Sequence, residues 1–495
     1  MHHRSDNGAI HDDFRNVSQQ CENPVSRFRS ISRHGKMRHN ILKSCTRSLC
    51  TVQRKPQVCI VGAGPAGFYA AQQLLKDSSD VRISILDKLP VPFGLIRYGV
   101  APDHPEVKNV LNTFHKIATN PRVEFMGNVN VGIDVSVEHL RELYDAVLLA
   151  YGAQEDRLLN VPGENLKNMI SARRFVGWYN GVPDDKDLTV DLDVEEAVII
   201  GQGNVAIDVA RILLTPIDKL KSTDITSYAL EALCNSRVRK VFMVGRRGPL
   251  QAAFTTAELR EILKLEGCKT LWRDQDFENV QTIVPTLERP RKRLTELMLK
   301  SLSDSKSDSM HTKELHPIFL RNPVEFHGES KLESVRFAIT RLRGETIQNQ
   351  IAETTDEFEM IPCGLALRSI GYRSVQIDNS IPFNSKKGCA ENINGKIEGN
   401  LYAAGWVASG PTGVLLTTMT NAFRVGRLIH NELANMKGGG GIDGLCSFVR
   451  SNNIQTVSYE DWQKIDRVEQ ERGKQRGKVR EKIVDVKEML NIAVN

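Results

Sequence analysis

Three side chains, each just behind a short apolar run, carry the chemistry most legible in this chain. Asp87 follows Arg82–Leu86, and the pair Arg246-Arg247 follows Val241–Val244 and Gly245. A carboxylate at a strand end can accept hydrogen bonds from both hydroxyls of a ribose. Paired guanidinium groups suit a ribose that carries a phosphate and serve a bare diol poorly. Upstream of each stands a glycine cluster: Gly62-Ala63-Gly64-Pro65-Ala66-Gly67 after Val58–Val61, and Gly201-Gln202-Gly203-Asn204-Val205-Ala206 after Ala197–Ile200. Strand, tight glycine turn and helix is the order that brings a pyrophosphate onto helix N-terminal amides. The first unit therefore reads as an FAD site and the second as an NADP site, with hydride exchange between them. One GxGxxG alone is a weak signal; two in series with opposite charges behind them form a coherent pair. Arg246 lies beyond the usual acid position because residues 215–240 lengthen the crossover. The reading thus requires the strands ending at Gly201 and Arg246 to be neighbours.

The elements that must position these residues follow from local pattern. Phe68–Lys76 continues the first glycine turn as a helix, with Pro65 in its first turn, where a missing N–H costs little. Pro90–Pro105 holds too much Pro and Gly for regular structure, and Phe93, Leu95, Ile96 and Tyr98 make it too apolar for open solvent. It is expected as a fixed loop walling a flavin ring. Val107–Ala118 reads as an amphipathic helix, and Tyr144–Ala150 as a buried strand leading out of the first unit through Gly152. Arg289-Pro-Arg-Lys-Arg293 precedes an expected helix Leu294–Leu302, followed by a polar loop to Ser309 and a strand over Leu332–Leu342. Lys437–Gly441 reads as a flexible linker, and the charged stretch after Asp461 as a solvated C-terminal helix.

At 495 residues the chain calls for two or three domains. No run approaches the roughly 20 apolar residues that span a bilayer. The net charge of +6 is local: residues 1–55 hold eleven Lys/Arg against four acids, so they carry +7 and the other 440 residues −1. A nearly neutral body gives no sign of nucleic-acid binding. Asn23–Lys76 contains no acid, and a basic, Ser-rich, acid-free N-terminus is the pattern of a mitochondrial presequence, with Met1 or Met37 as its start. The nine cysteines include no CxxC pair, which argues against structural zinc, an iron–sulfur cluster in this chain, and a disulfide relay.

At Leu95–Pro105, Gly201–Leu214, Val244–Glu261 and Gly405–Thr418 the chain resembles the adrenodoxin-reductase family of ferredoxin–NADP reductases, with Arg97–Asn109 and Val244–Gln251 as the most specific segments. The resemblance runs from about Pro56 to the C-terminus. It implies an α/β fold of two Rossmann-like three-layer dinucleotide-binding domains, the NADP domain inserted into a discontinuous FAD domain. The expected division is 1–55 leader, 56–153 FAD domain, 154–370 NADP domain, and 371–495 return to the FAD domain with a C-terminal tail. It also implies electron flow from NADPH through FAD to an acidic [2Fe–2S] ferredoxin of the adrenodoxin type, feeding mitochondrial cytochromes P450 and iron–sulfur assembly. The implied setting is the mitochondrial matrix, with a monomer whose nearest approach to a bilayer is peripheral, at the inner membrane.

Carried onto this sequence, the FAD contacts fall at Ala66, Asp87, Leu95, Val131, Trp406, Gly413, Val414 and Leu415, beside Gly62, Gly64 and Gly67. The NADP contacts fall at Gln202, Gly203, Asn204, Val205, Arg246, Arg247, Glu258 and Gly413. His104 and Asp208 are the polar pair expected near the flavin ring, in a positional or a proton-linked role. Lys76, Arg260, Arg289 and Arg293 are the expected ferredoxin-docking cations. Two departures stand out: Asp87 replaces the family's usual Glu, and Trp406–Gly410 lacks the basic pair of vertebrate members. The rival enzyme class, a flavin monooxygenase, needs an FxGxxxHxxx(W/Y) linker that is absent. A non-catalytic FAD/NADP redox sensor is the other alternative.

Overall fold

The computed structural model describes residues 54–304, 311–411, 415–435 and 438–495. The expected leader lies outside them, apart from Arg54 and Lys55. Arg54 begins the compact body instead. Its guanidinium bonds Asp145, whose carboxylate also accepts the amides of Gln57 and Gly438, each at 2.8 Å.

Two six-stranded sheets organise the body. The first runs, in spatial order, Lys396–Glu398, Leu401–Ala403, Ala146–Leu149, Gln57–Val61, Arg82–Leu86, Val123–Met126, and is parallel except for the first pair. The second, Met169–Ser171, Leu365–Arg368, Glu196–Ile200, Lys240–Val244, Lys313–Ile318, Cys268–Thr270, is parallel throughout. The chain builds four strands of the first sheet, all of the second, then returns to the first. Alternate residues explain why these strands read as unbroken apolar runs. Val58 and Ile60 enter one core while Cys59 and Val61 enter another, on the opposite face of the sheet. In the second sheet Ala197 and Ile199 face a helical layer, and Val198 and Ile200 face a three-stranded antiparallel sheet, Arg321–His327, Ser334–Arg343 and Ile351–Pro362. Both halves are therefore three-layered. The two crossing connections pair with each other as a short ribbon, Glu155–Asp156 against Tyr372–Arg373.

Several local expectations are corrected. The loop Pro90–Pro105 contains one helical turn, Leu95–Tyr98, because Gly94 supplies the turn into it and Pro is absent from residues 93–101. The expected helix Val107–Ala118 opens as a 3-10 turn, Val107–Val110, before Leu111–Ala118. The basic run Arg289–Arg293 does not precede its helix but forms its first turn, Arg289–Asp304, Pro290 being tolerated there. The C-terminal helix Tyr459–Gln475 is not simply solvated. Tyr459, Trp462, Ile465 and Glu469 are buried on one stripe, the apolar three joining the core of the first sheet. The described part of the glycine linker is docked, Gly438 lying on Tyr144 and Asp145. No described helix is long and apolar enough to cross a membrane. All six described cysteines are free.

Candidate active site

The two glycine turns are built alike. Gly62 has φ +114°, and a Cβ there would lie 2.6 Å from the backbone of Ala150; Gly201 has φ +130° and would strike Ser369 O at 2.1 Å. These first glycines are forced by close packing against the neighbouring strand's exit. Gly67 sits so tightly on its own turn that a Cβ would lie 2.2 Å from Gly62 O. The middle glycines differ: among the described residues a Cβ on Gly64 or Gly203 meets nothing within 4 Å. Each is the N-cap of a helix of ordinary length, Pro65–Asp77 or Asn204–Leu214. Bare backbone N–H groups thus face open room at the positive end of a helix dipole, the arrangement a pyrophosphate needs.

Behind each turn stands the discriminating residue. The strand of Asp87 is the parallel neighbour of Gln57–Val61, and that of Arg246 is the parallel neighbour of Glu196–Ile200. The half-buried Asp87 carboxylate accepts the amides of Ala63 (2.8 Å) and Leu89 (3.0 Å), which fixes it at the lip of the turn with one lone pair per oxygen still free. Burial raises its pKa, partly offset by those amides. Thr340 Oγ1 donates to the carbonyl of Arg246 (2.7 Å) and Leu320 N to that of Arg247 (3.2 Å). With their backbone tied down, both arginine side chains stand exposed and have no carboxylate partner among the described residues.

The loop Pro90–Pro105 lies on the first turn. Phe93 N donates to Ala63 O (2.7 Å), and a Cβ on Gly94 would come within 3.0 Å of Gly64 Cα. From the other side Gly405 approaches Ala66, at 2.7 Å from an added Cβ. Trp406 packs on Tyr372 with ring centroids 5.5 Å apart, and its indole N–H is buried with no partner among the described residues. An orphaned donor at the mouth of the first turn, beside room left by Gly64, fits a polar aromatic group such as a flavin.

His104 and Asp208 belong to one network, joined through groups that sequence reasoning missed. Arg211, nearly buried, bonds Asp103 twice (2.6 and 3.2 Å), Asp208 (2.8 Å) and Glu258 (3.3 Å), and lies 3.6 Å from Glu261. Glu261 in turn meets His104 Nε2 at 2.7 Å. Burial pushes the Asp208 carboxyl up to about 6 against the pull of Arg211, and burial with the Asp208 charge pushes Glu258 up to about 7. The network fastens the loop from the first half to helices Asn204–Leu214 and Thr256–Ile262 of the second. The i,i+3 spacing of Asp208 and Arg211 on one helix was the available signal.

A sequence model of the pyridine nucleotide-disulphide oxidoreductase family matches residues 56–273. The mitochondrial NADPH:adrenodoxin oxidoreductase of Drosophila melanogaster is 49% identical over 454 residues, 88% of this chain and 93% of that protein. This chain belongs to the mitochondrial NADPH:adrenodoxin oxidoreductase family. The human member is 47% identical over 457 residues, 89% of this chain and 93% of its own. Among solved structures, Mycobacterium tuberculosis FprA in complex with NADPH aligns with a TM-score of 0.85 at 37% identity, over 89% of this chain and all of that one.

Of the residues that membership in the adrenodoxin oxidoreductase family singles out here, Gly62, Gly64, Ala66, Gly67, Asp87 and Trp406 converge on the first turn. Leu95, half exposed, opens the helical turn above it. Val131 is a core residue, in a segment bonded to Asp87 O through Val129 N. Leu415 begins the helix Leu415–Glu432; Gly413 and Val414 lie outside the described residues. Gln202, Gly203, Asn204 and Val205 form the second turn. Gln202 turns its side chain inward, Nε2 donating to Ile318 O (2.8 Å), so only its backbone faces the turn's open side. Asn204 Oδ1 accepts Thr255 N (2.9 Å), bringing the helix of Glu258 alongside. Arg260, Arg289 and Arg293 are exposed on two helices packed together, and Lys76 is exposed on a third that packs on neither.

Proposed function

We propose that this chain is an NADPH-dependent flavoprotein reductase that hands electrons to an acidic [2Fe–2S] ferredoxin in the mitochondrial matrix. The observation that carries the reading is the opposite charge at equivalent strand tips: Asp87 behind one glycine turn, Arg246 and Arg247 behind the other. FAD belongs at the first turn, its ribose on Asp87 and its ring beside Trp406 and the Pro90–Pro105 loop. NADP(H) belongs at the second, its pyrophosphate at Gln202–Val205, its 2′-phosphate at Arg246 and Arg247, with Glu258 bordering the site. Gly413 and Val414, with Leu415, would complete the contact between the two cofactors. Bound FAD supplies the conversion from a two-electron hydride donor to a one-electron acceptor. The protein's part is to orient the two dinucleotides and exclude water. His104 and Asp208 act there as positioning groups, because the Arg211 network holds both and hydride transfer itself moves no separate proton.

The domain plan follows the same reading, with the leader ending ahead of Arg54: FAD domain 54–153 and 371–495, NADP domain 154–370, in a monomer. Lys76, Arg260, Arg289 and Arg293 supply the ferredoxin-docking cations, with Lys76 on the FAD side and the others on the NADP side. The test is NADPH-driven cytochrome c reduction by the FAD-loaded protein, with and without a mitochondrial [2Fe–2S] ferredoxin. Strong stimulation by ferredoxin, with little activity from NADH, is expected. Bound FAD without turnover would instead favour a redox sensor.

A further inference from the structure

The helix Arg289–Asp304 presents Arg289 and Arg293 to solvent, one helical turn apart. Arg291, between them, faces the other way. It is half-buried, and its Nη1 donates to Ala252 O at 2.6 Å. Ala252 ends the short turn Pro249–Gln251, five residues after Arg247, and the helix packs directly on that turn. Burial and, next, the charge of Arg247 both push the Arg291 pKa down, so the two guanidinium groups are close enough to repel. Neither Arg246, Arg247 nor Arg291 has a carboxylate within ion-pair distance among the described residues. An arginine in protein stays charged regardless. A half-buried cation bonded to the turn that follows Arg247, with no carboxylate beside it among the described residues, is stabilised when an anion joins it.

We propose that Arg291 is a third cation of the 2′-phosphate site and determines specificity for NADPH over NADH. This rests on the assignment of Arg246 and Arg247 made above. A phosphate monoester carries close to two negative charges and three acceptor oxygens, so it has capacity for more than the exposed pair. Arg291 acts in two ways at once. Its bond to Ala252 sets the turn that carries the pair, and its charge deepens the positive potential there. The helix thereby serves the coenzyme with one face while its other face remains free for the acidic partner.

The test uses the FAD-loaded full chain and two probes, 2′,5′-ADP and the NADPH/NADH pair. Arg291→Gln removes the charge and, being two atoms shorter, also gives up the reach to the Ala252 carbonyl. It is expected to raise the Kd of 2′,5′-ADP and the KM of NADPH roughly tenfold, the low end of a charge-assisted contact, with the NADH KM moving less than about twofold. Arg291→Lys, which keeps the charge, is expected to recover most of that loss. Equal losses for NADPH and NADH would mean that Arg291 only holds the turn, and no loss for either would mean that its charge does not reach the phosphate; both outcomes overturn the proposal. If Arg291→Gln fails to retain FAD, Arg291→Lys decides alone: a tenfold NADPH loss there, with charge retained, also overturns it. Arg246→Ala measured in parallel separates the two readings. If it leaves the NADPH/NADH ratio unchanged, the 2′-phosphate assignment itself fails. If it shifts the ratio and Arg291→Gln does not, only the present inference fails.

Discussion

Asp87 and Arg246 illustrate what single residues can and cannot disclose. Both sit at the end of a strand that neighbours a glycine-turn strand, a placement that type and position in the chain already indicated. Removing one arginine–phosphate contact typically costs about 1.5–3 kcal/mol. Arg246→Ala should therefore raise the NADPH KM roughly 10- to 100-fold and scarcely move that of NADH, as steady-state kinetics with both coenzymes will show. Arg211 was not legible in the same way. Its partners Asp103, Asp208, Glu258 and Glu261 come from three separate segments, and an ion-pair network leaves no periodic trace in a sequence. It has a measurable consequence. Asp208 carries a pKa raised in the folded protein to about 6 from 3.8, so the native state holds that proton more tightly than the unfolded chain does. The stability attached to it is greatest at low pH and declines as pH rises from about 4 to about 6. Denaturation of the wild type against Asp208→Asn over that interval should show the wild type losing ground steadily, then running parallel above it.

At the scale of elements, the glycine turns separate folding from binding within one motif. Gly62→Ala forces a methyl into the Ala150 backbone at a left-handed φ. Loss of several kcal/mol and of bound FAD is expected, read by thermal melting and flavin absorbance. Gly203→Ala meets no protein atom and its φ of −100° suits any residue. Its melting temperature should hold, while NADPH affinity falls at least tenfold because the methyl occupies the pyrophosphate's approach. The helix Arg289–Asp304 supports a third test. Arg289→Glu should raise the ferredoxin KM, steeply in low salt and weakly in high salt, since exposed charges are screened within about 8–10 Å. Elements with one strong periodicity were legible from sequence. The C-terminal helix was not, because charged residues outnumber apolar ones along it and hide the stripe of Tyr459, Trp462 and Ile465. The start of the helix Arg289–Asp304 was missed for a different reason: proline reads as a breaker although it is harmless in a first turn.

For the whole molecule, the arrangement of the two sheets was legible from the order of the strands, but the ties between the halves were not. Besides the ribbon Glu155–Asp156/Tyr372–Arg373, the halves are joined by charge. Asp224 of the second half accepts Lys108 of the first at 2.6 Å and lies 3.1 Å from Lys482 of the C-terminal segment. Burial alone would raise the Asp224 pKa, but the two lysines hold it well below the usual carboxylate range. Such a depressed carboxylate stabilises the fold fully above about pH 4 and loses that contribution as pH falls below it. Asp224→Asn leaves two enclosed lysines without their anion and should cost about 3–5 kcal/mol at pH 7. The gap to wild type should only begin to narrow by pH 3.5, because the folded carboxyl titrates well below that, as urea titrations at pH 7 and pH 3.5 will show.

The clasp at Asp145 sets the chain's outer limit. One carboxylate gathers the side chain of Arg54, the amide of Gln57 and, from almost four hundred residues downstream, the amide of Gly438. An exopeptidase nibbling inward from the amino end would meet a fastened knot at Arg54. Shortening from that side should consequently stall at that arginine, whatever the site of the first cut.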